Sequence, residues 1–128
     1  MIETQPSQWL EREDVGDVTV LRVKAPMLRA DEVTDDVFDH AYSLVDSAGR
    51  SRLVLNLEAV GYLASAAIGK LLVLMRKAAS AGGRLVLCKP SRPVEEVFRV
   101  SRLSDILPSY ADEQEALRAL VAQGGAAS

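Results

Sequence analysis

One cysteine, one histidine and few aromatic side chains narrow the chemistry open to this 128-residue chain. Cys88 has no second cysteine to pair with, so an internal disulfide is excluded and a reducing compartment is compatible. His40 lies in a helical pattern without close metal-ligand spacing, so it reads as a structural side chain and no metal or cofactor is expected. Aromatic residues make up 5% of the chain. One of them, Phe98, falls within the basic string Lys89, Arg92, Arg99 and Arg102, too few for a stacking platform for nucleic acid. A net charge of −3 and a pI near 5.2 argue against a broad footprint for nucleic acid or anionic membrane and leave protein as the expected partner. Apolar stretches fall short of the ~20 residues a bilayer span needs. Met1 to Leu10 has neither the basic start nor the apolar core of an export signal, so a cytoplasmic location is expected.

Little else suggests catalysis. Gly82-Gly83 ends a helical pattern and precedes a strand, without the glycine spacing or the Lys-Ser/Thr pair of a phosphate-binding loop. Cys88 closes a strand and reads as a small buried thiol. Asp31, Asp35, Asp36 and Asp39 mark an acidic helix start that suits solvent and the helix dipole. No nucleophile–base constellation is present, so no enzyme is expected.

What the chain does have is 48% hydrophobic residues, enough to fill one core at this length. Residues 1–123 are read as one domain and Gly124 to Ser128 as a flexible tail. Alternation predicts a hairpin from strands at Gln8–Glu13 and Val18–Val23 around Asp14-Val-Gly-Asp17. Helical spacing then runs from an Asp31 cap to Gly49. Leu53–Leu57 is a strand with too few polar positions for a solvated face, Asn56 being the exception. Ile68, Leu71, Leu72, Met75, Ala78 and Ala79 mark the apolar side of a helix over Ser65–Ala81, and Arg84–Cys88 is the next strand. Strand, helix and strand form a parallel βαβ crossover. A short helix around Val94, Val97 and Phe98 follows. A last short strand falls at Ile106–Leu107 or Ser109–Tyr110. A final helix from Asp112 is expected to bury Leu117, Leu120 and Val121. The fold class is therefore α/β: a mixed sheet with an N-terminal hairpin, the crossover and about four helices.

The segment from Leu53-Val-Leu-Asn-Leu57 through Ala64-Ser-Ala-Ala67 to Leu72 resembles the signature of STAS domains, where a buried strand leads into an Asp-Ser-Ser-Gly-Leu-Gly-like loop and helix. Gly82 to Leu87, Val97 to Leu103 and the acidic Glu113 to Leu117 continue the likeness, over about 70 residues. The resemblance implies an anti-sigma-factor antagonist, binding a serine-kinase anti-sigma factor and regulating transcription. The family also holds stressosome scaffolds, anion-transporter parts and lipid-transport subunits, so a non-phosphorylated scaffold subunit of a stressosome-like or lipid-transport complex, assembling with itself or with other STAS proteins, is the alternative.

Ser65 stands where regulated relatives carry the phosphate acceptor, and it also reads as a plain helix N-cap. The sequence departs from the signature on either side, with Ala64 in place of the acid and Ala66 and Ala67 in place of serine and glycine. These small residues, with Gly69, Tyr62, Lys70, Val73 and Arg76, form the expected partner face. Trp9, Met27 and Leu28 are read as edge cover or as surface beside this helix.

Overall fold

The computed structural model describes residues 7–127, with side chains described through Val121. Gly16 and Asp17 alone join β1 (Leu10–Val15) to β2 (Val18–Val23), and the antiparallel register runs from Leu10 opposite Val23 to Val15 opposite Val18. Gly16 takes φ +61°, the left-handed conformation that a two-residue hairpin turn demands of one of its residues. β1 thus starts two residues later than alternation predicts, whereas β2 coincides with its expected span. Met1 to Pro6 lie outside the described residues.

After the short β3 (Met27–Leu28), α1 spans Glu32–Asp46. Asp31 is its N-cap: the carboxylate accepts the Thr34 backbone N–H at 3.1 Å, and the helix buries Val37, Phe38, Ala41, Leu44 and Val45. The chain continues as β4 (Arg52–Asn56), β5 (Tyr62–Leu63), α2 (Ser65–Ser80), β6 (Arg84–Cys88), α3 (Arg92–Val100), β7 (Ser109–Tyr110) and α4 (Glu113–Ala127). The main sheet has the order β1-β2-β4-β6-β7, in which only the first pair is antiparallel. β3 and β5 form a separate two-stranded parallel sheet. Periodicity could not show these two, because a two-residue strand has no period and Pro26 and Gly61 read as turn residues.

The sheet has a leucine face and a valine face. Leu21, Leu53, Leu55, Leu85 and Leu87 belong to the core shared with α1, α2 and α3. Val18, Val20, Val54, Val86 and Cys88 form a smaller cluster with Ala116 and Leu120 of α4. Two apolar expectations change here. In α2 the buried stripe is Ala67, Leu71, Leu74 and Ala78, with Ile68, Leu72 and Met75 partly buried and Ala79 exposed. In α4, Leu117 is half-buried and Val121 is 61% exposed, because a helix resting on a flat valine surface buries only a narrow stripe at i and i+4. The backbone of α4 also continues to Ala127, through residues expected as tail; Ser128 lies outside the described residues.

One polar cluster pins the start of α4 to the strand ends. The Arg22 guanidinium donates to Glu113 through Nε at 2.7 Å and Nη2 at 2.8 Å, and to Glu11 and Glu13 at 2.7 Å each. Asn56, buried inside the sheet, donates from Nδ2 to Glu113 at 2.6 Å and accepts the Glu58 N–H at 2.9 Å. The Arg22 bond chiefly, helped by Asn56, holds the Glu113 carboxyl down at about 2, against an ordinary value of 4.5. A depressed carboxyl stabilises the fold above its unfolded pKa and ceases to do so as it is protonated in the folded state. Urea unfolding midpoints should therefore fall as pH drops from 4.5 through about 2, and Glu113→Gln should remove part of that decline.

The turn after α2 is closed by Gly82, at φ +87°, and Gly83. A Cβ on Gly83 would lie 2.1 Å from the Ser51 carbonyl oxygen, whereas one on Gly69, within α2, would meet nothing within 4 Å. The two alanine substitutions should act in opposite directions. In urea unfolding Gly83→Ala is expected to cost about 2 kcal/mol or more through overpacking against rigid backbone, and Gly69→Ala to stabilise by roughly 0.5–1 kcal/mol through helix propensity.

Candidate functional site

The segment that leads from β4 to α2 is held on both sides by backbone. The Leu57 N–H donates to Cys88 O at 3.1 Å and the Val60 N–H to Leu57 O at 3.0 Å, while the Ser91 hydroxyl donates to Val60 O at 2.6 Å. Gly61 N–H reaches Pro26 O at 2.8 Å and Ala64 N–H reaches Leu28 O at 2.9 Å, so β3 clamps β5 from before to after. Leu28 and Leu63 turn into the core. Their neighbours Met27 and Tyr62, directly opposite in register, remain 46% and 51% exposed.

This clamp sets the first turn of α2 at the surface. Ala64 is the N-cap, with extended φ −84° and ψ 164°, and no side chain caps the helix end. Ser65 is therefore the first helical residue and not the cap that serine chemistry suggests; its side chain is exposed. The Ala67 and Ile68 N–H groups both turn back to Ala64 O, at 3.0 and 3.1 Å. The first turn holds no acidic residue, so the positive end of the helix dipole has no local counter-charge from α2 itself.

Not all of the expected partner face is a face. Ala66, Gly69, Val73 and Arg76 are exposed at i, i+3, i+7 and i+10, one stripe that continues from Tyr62 and Ser65. Ala67 is fully buried and packs in the core, a correction that follows from its place one position beyond this stripe. Ala64 is half-buried. Lys70 is half-buried too and is tied to α1: its ammonium lies 3.1 Å from Asp35 and its carbonyl accepts the Tyr42 hydroxyl at 2.9 Å. The structure adds Met27, which only the β3–β5 pairing places beside Tyr62. Of the other two residues read as edge cover or helix-side surface, Leu28 is buried and Trp9 packs partly buried against the main core.

The remaining titratable candidates lie elsewhere. His40 Nδ1 is 2.8 Å from the Asp36 carbonyl oxygen and 3.5 Å from its carboxylate, an arrangement internal to α1. The Cys88 thiol is buried under α4, and burial pushes its pKa up to about 12, which keeps it protonated. Among the described residues no three His, Cys, Asp or Glu side chains group to hold a metal, and no helix is long and apolar enough to cross a membrane. A cavity of about 750 Å³ between β1 and α1, floored by Leu10, Leu21 and Leu44, includes no residue of α2.

The family model of the STAS domain matches residues 10–116. Among solved structures, the fold is similar to that of an anti-sigma-factor antagonist (STAS) domain protein from Planctomyces limnophilus, with TM-score 0.76, 24% identity and 88% of this chain aligned to 97% of that one. An anti-sigma factor antagonist from Mycobacterium paratuberculosis gives 0.71 and 23%, over 87% of this chain and 92% of that one. The Bacillus cell fate determinant SpoIIAA in its phosphorylated form gives 0.67 and 23%, over 85% and 96%. At these identities the likeness to solved structures is one of fold.

An uncapped helix start is open to improvement. Ala64→Asp places a carboxylate where it can accept a first-turn N–H and face the helix dipole, and is expected to raise stability by about 0.5–2 kcal/mol in urea unfolding.

Proposed function

The chain belongs to the STAS domain family, and we propose that within it the protein acts as a cytoplasmic, non-enzymatic anti-sigma-factor antagonist that docks on a serine-kinase anti-sigma factor and so frees a sigma factor for transcription. The observation that carries this reading is the exposed start of α2. Ser65, Ala66 and Gly69 form a low-profile surface on which another backbone can approach closely, and the apolar pair Met27–Tyr62 lies beside it. Val73 and Arg76 extend the surface along the helix. Tyrosine is among the residues that most often anchor such interfaces, while small neighbours supply fit rather than energy.

Phosphorylation of Ser65 is part of the proposal. A phosphoryl group there would be tolerated by the dipole at the helix end yet would add about −1.5 to −2 charge and bulk in the middle of the docking surface. The folded chain would persist and the interface would not. Ala64 favours a second reading, a STAS scaffold subunit of a stressosome-like or lipid-transport assembly, because the position before Ser65 lacks the carboxylate of the regulated signature.

The test pairs this protein with a purified serine-kinase anti-sigma factor from the same organism. Tyr62→Ala should weaken binding at least tenfold, about 1.4 kcal/mol or more. Incubation with ATP should add one phosphate by mass, and Ser65→Ala should abolish it while binding is retained. Binding without any mass shift would reject the switch and keep the antagonist. Absence of binding together with a defined large oligomer in light scattering would establish the scaffold reading.

A further inference from the structure

Helix α4 is attached differently from the other helices. α1, α2 and α3 share one continuous core on the leucine face, whereas among the described residues α4 is the helix that covers the valine face. Among the described residues it contributes just Ala116 and Leu120 as fully buried side chains, with Leu117 and Tyr110 partly buried beside them. Among the described residues its other side-chain hold on the sheet is the polar cluster at its first residue, where Glu113 meets Arg22 and Asn56. The pairing of β7 with β6 is complete before α4 begins, through Leu87 N–H to Pro108 O at 2.9 Å and Lys89 N–H to Tyr110 O at 3.0 Å. Lifting α4 therefore breaks no hydrogen bond of the sheet and no contact of the leucine-face core.

We infer that α4 is a cover that opens as a unit on an otherwise folded sheet, that the Arg22–Glu113–Asn56 cluster is its latch, and that opening bares an apolar face of Val18, Val20, Val54, Val86 and Cys88. Segments with few buried apolar contacts open below the free energy of global unfolding, and a helix held by a narrow stripe and one end cluster meets that description. The bared face is on the side of the sheet opposite α2, so the opening stands whether or not the α2 surface binds an anti-sigma factor. Cys88 reports on it directly: it is the only cysteine, its side chain is fully buried beneath α4, and burial keeps the thiol protonated while the cover is closed.

The experiment is labelling of Cys88 in the full chain by a disulfide reagent, followed across a urea series below the unfolding transition and compared with global unfolding read from Trp9 fluorescence. Opening of α4 alone predicts a labelling rate with a much shallower urea dependence than global unfolding. Arg22→Ala should speed native-state labelling at least tenfold, since it releases the latch. Leu74→Val, a mild change in the leucine-face core, should lower the global midpoint yet leave labelling within about twofold, because closed and open forms both keep that core. Hydrogen exchange of the amides from 116 to 121 should follow the labelling rate, and those of β4 the global transition. Labelling that shares the urea dependence of global unfolding, or that Leu74→Val accelerates as much as it destabilises, would overturn the inference.

Discussion

Burial of β4 on both faces is the constraint on which the rest of the molecule depends. Leu53, Val54 and Leu55 are each at most 1% exposed, so water must be excluded from both sides of the sheet. A strand of this kind cannot sit at an edge, and its parallel neighbours β2 and β6 can be reached only through crossovers that carry helices. Leucine on one face and valine on the other divide the work unequally. The longer side chains interdigitate with three helices, while the shorter, stiffer ones present a flat bed to α4.

The same constraint produces the surface at α2. A strand buried at the centre of the sheet must hand the chain to its crossover helix at the strand's carboxyl end, the place where open α/β sheets present their loops to other molecules. Here the handover is short and stiff: the β3–β5 pairing and the Ser91 hydroxyl bond to Val60 O hold the loop through its own backbone groups, which leaves the side chains of Met27, Tyr62, Ser65 and Ala66 free to face outward. Because Ala64 offers no capping group, the helix start is held by its approach and not by its own side chains. A surface defined by backbone geometry tolerates change in its outward residues, and members of one family can then differ in what they bind while keeping one frame.

Charge is distributed to match. Lys70, Lys77 and Lys89 each have an acidic partner, in Asp35, Asp46 and Glu58, and most of these pairs are solvated enough to contribute little to stability. Arg22 is the exception in kind. It gathers three carboxylates from β1 and α4 in one planar fork, so it links the edge hairpin to the start of the last helix.

The order of the helices and of the main-sheet strands, though not β3 or β5, was legible along the chain. β2 and β6 coincide with their expected spans, Asp31 caps α1 as its spacing implies, and Asp112 accepts the Glu115 N–H at 2.8 Å. These are local matters, carried by hydrophobic period and by side chains that reach a backbone group a few residues away. Most of the exposed α2 surface was legible too, since Ala66, Gly69, Val73 and Arg76 follow one helical stripe and Tyr62 stands in β5 just before it. The rest depends on contacts between distant segments. The pairing of Met27 with Tyr62, the inward turn of Ala67, the shift of the cap from Ser65 to Ala64 and the meeting of Arg22 with Glu113 all depend on how far one element rides over another. Periodicity along a chain carries no record of that distance, because it reports which side of an element is apolar and not which neighbour covers it.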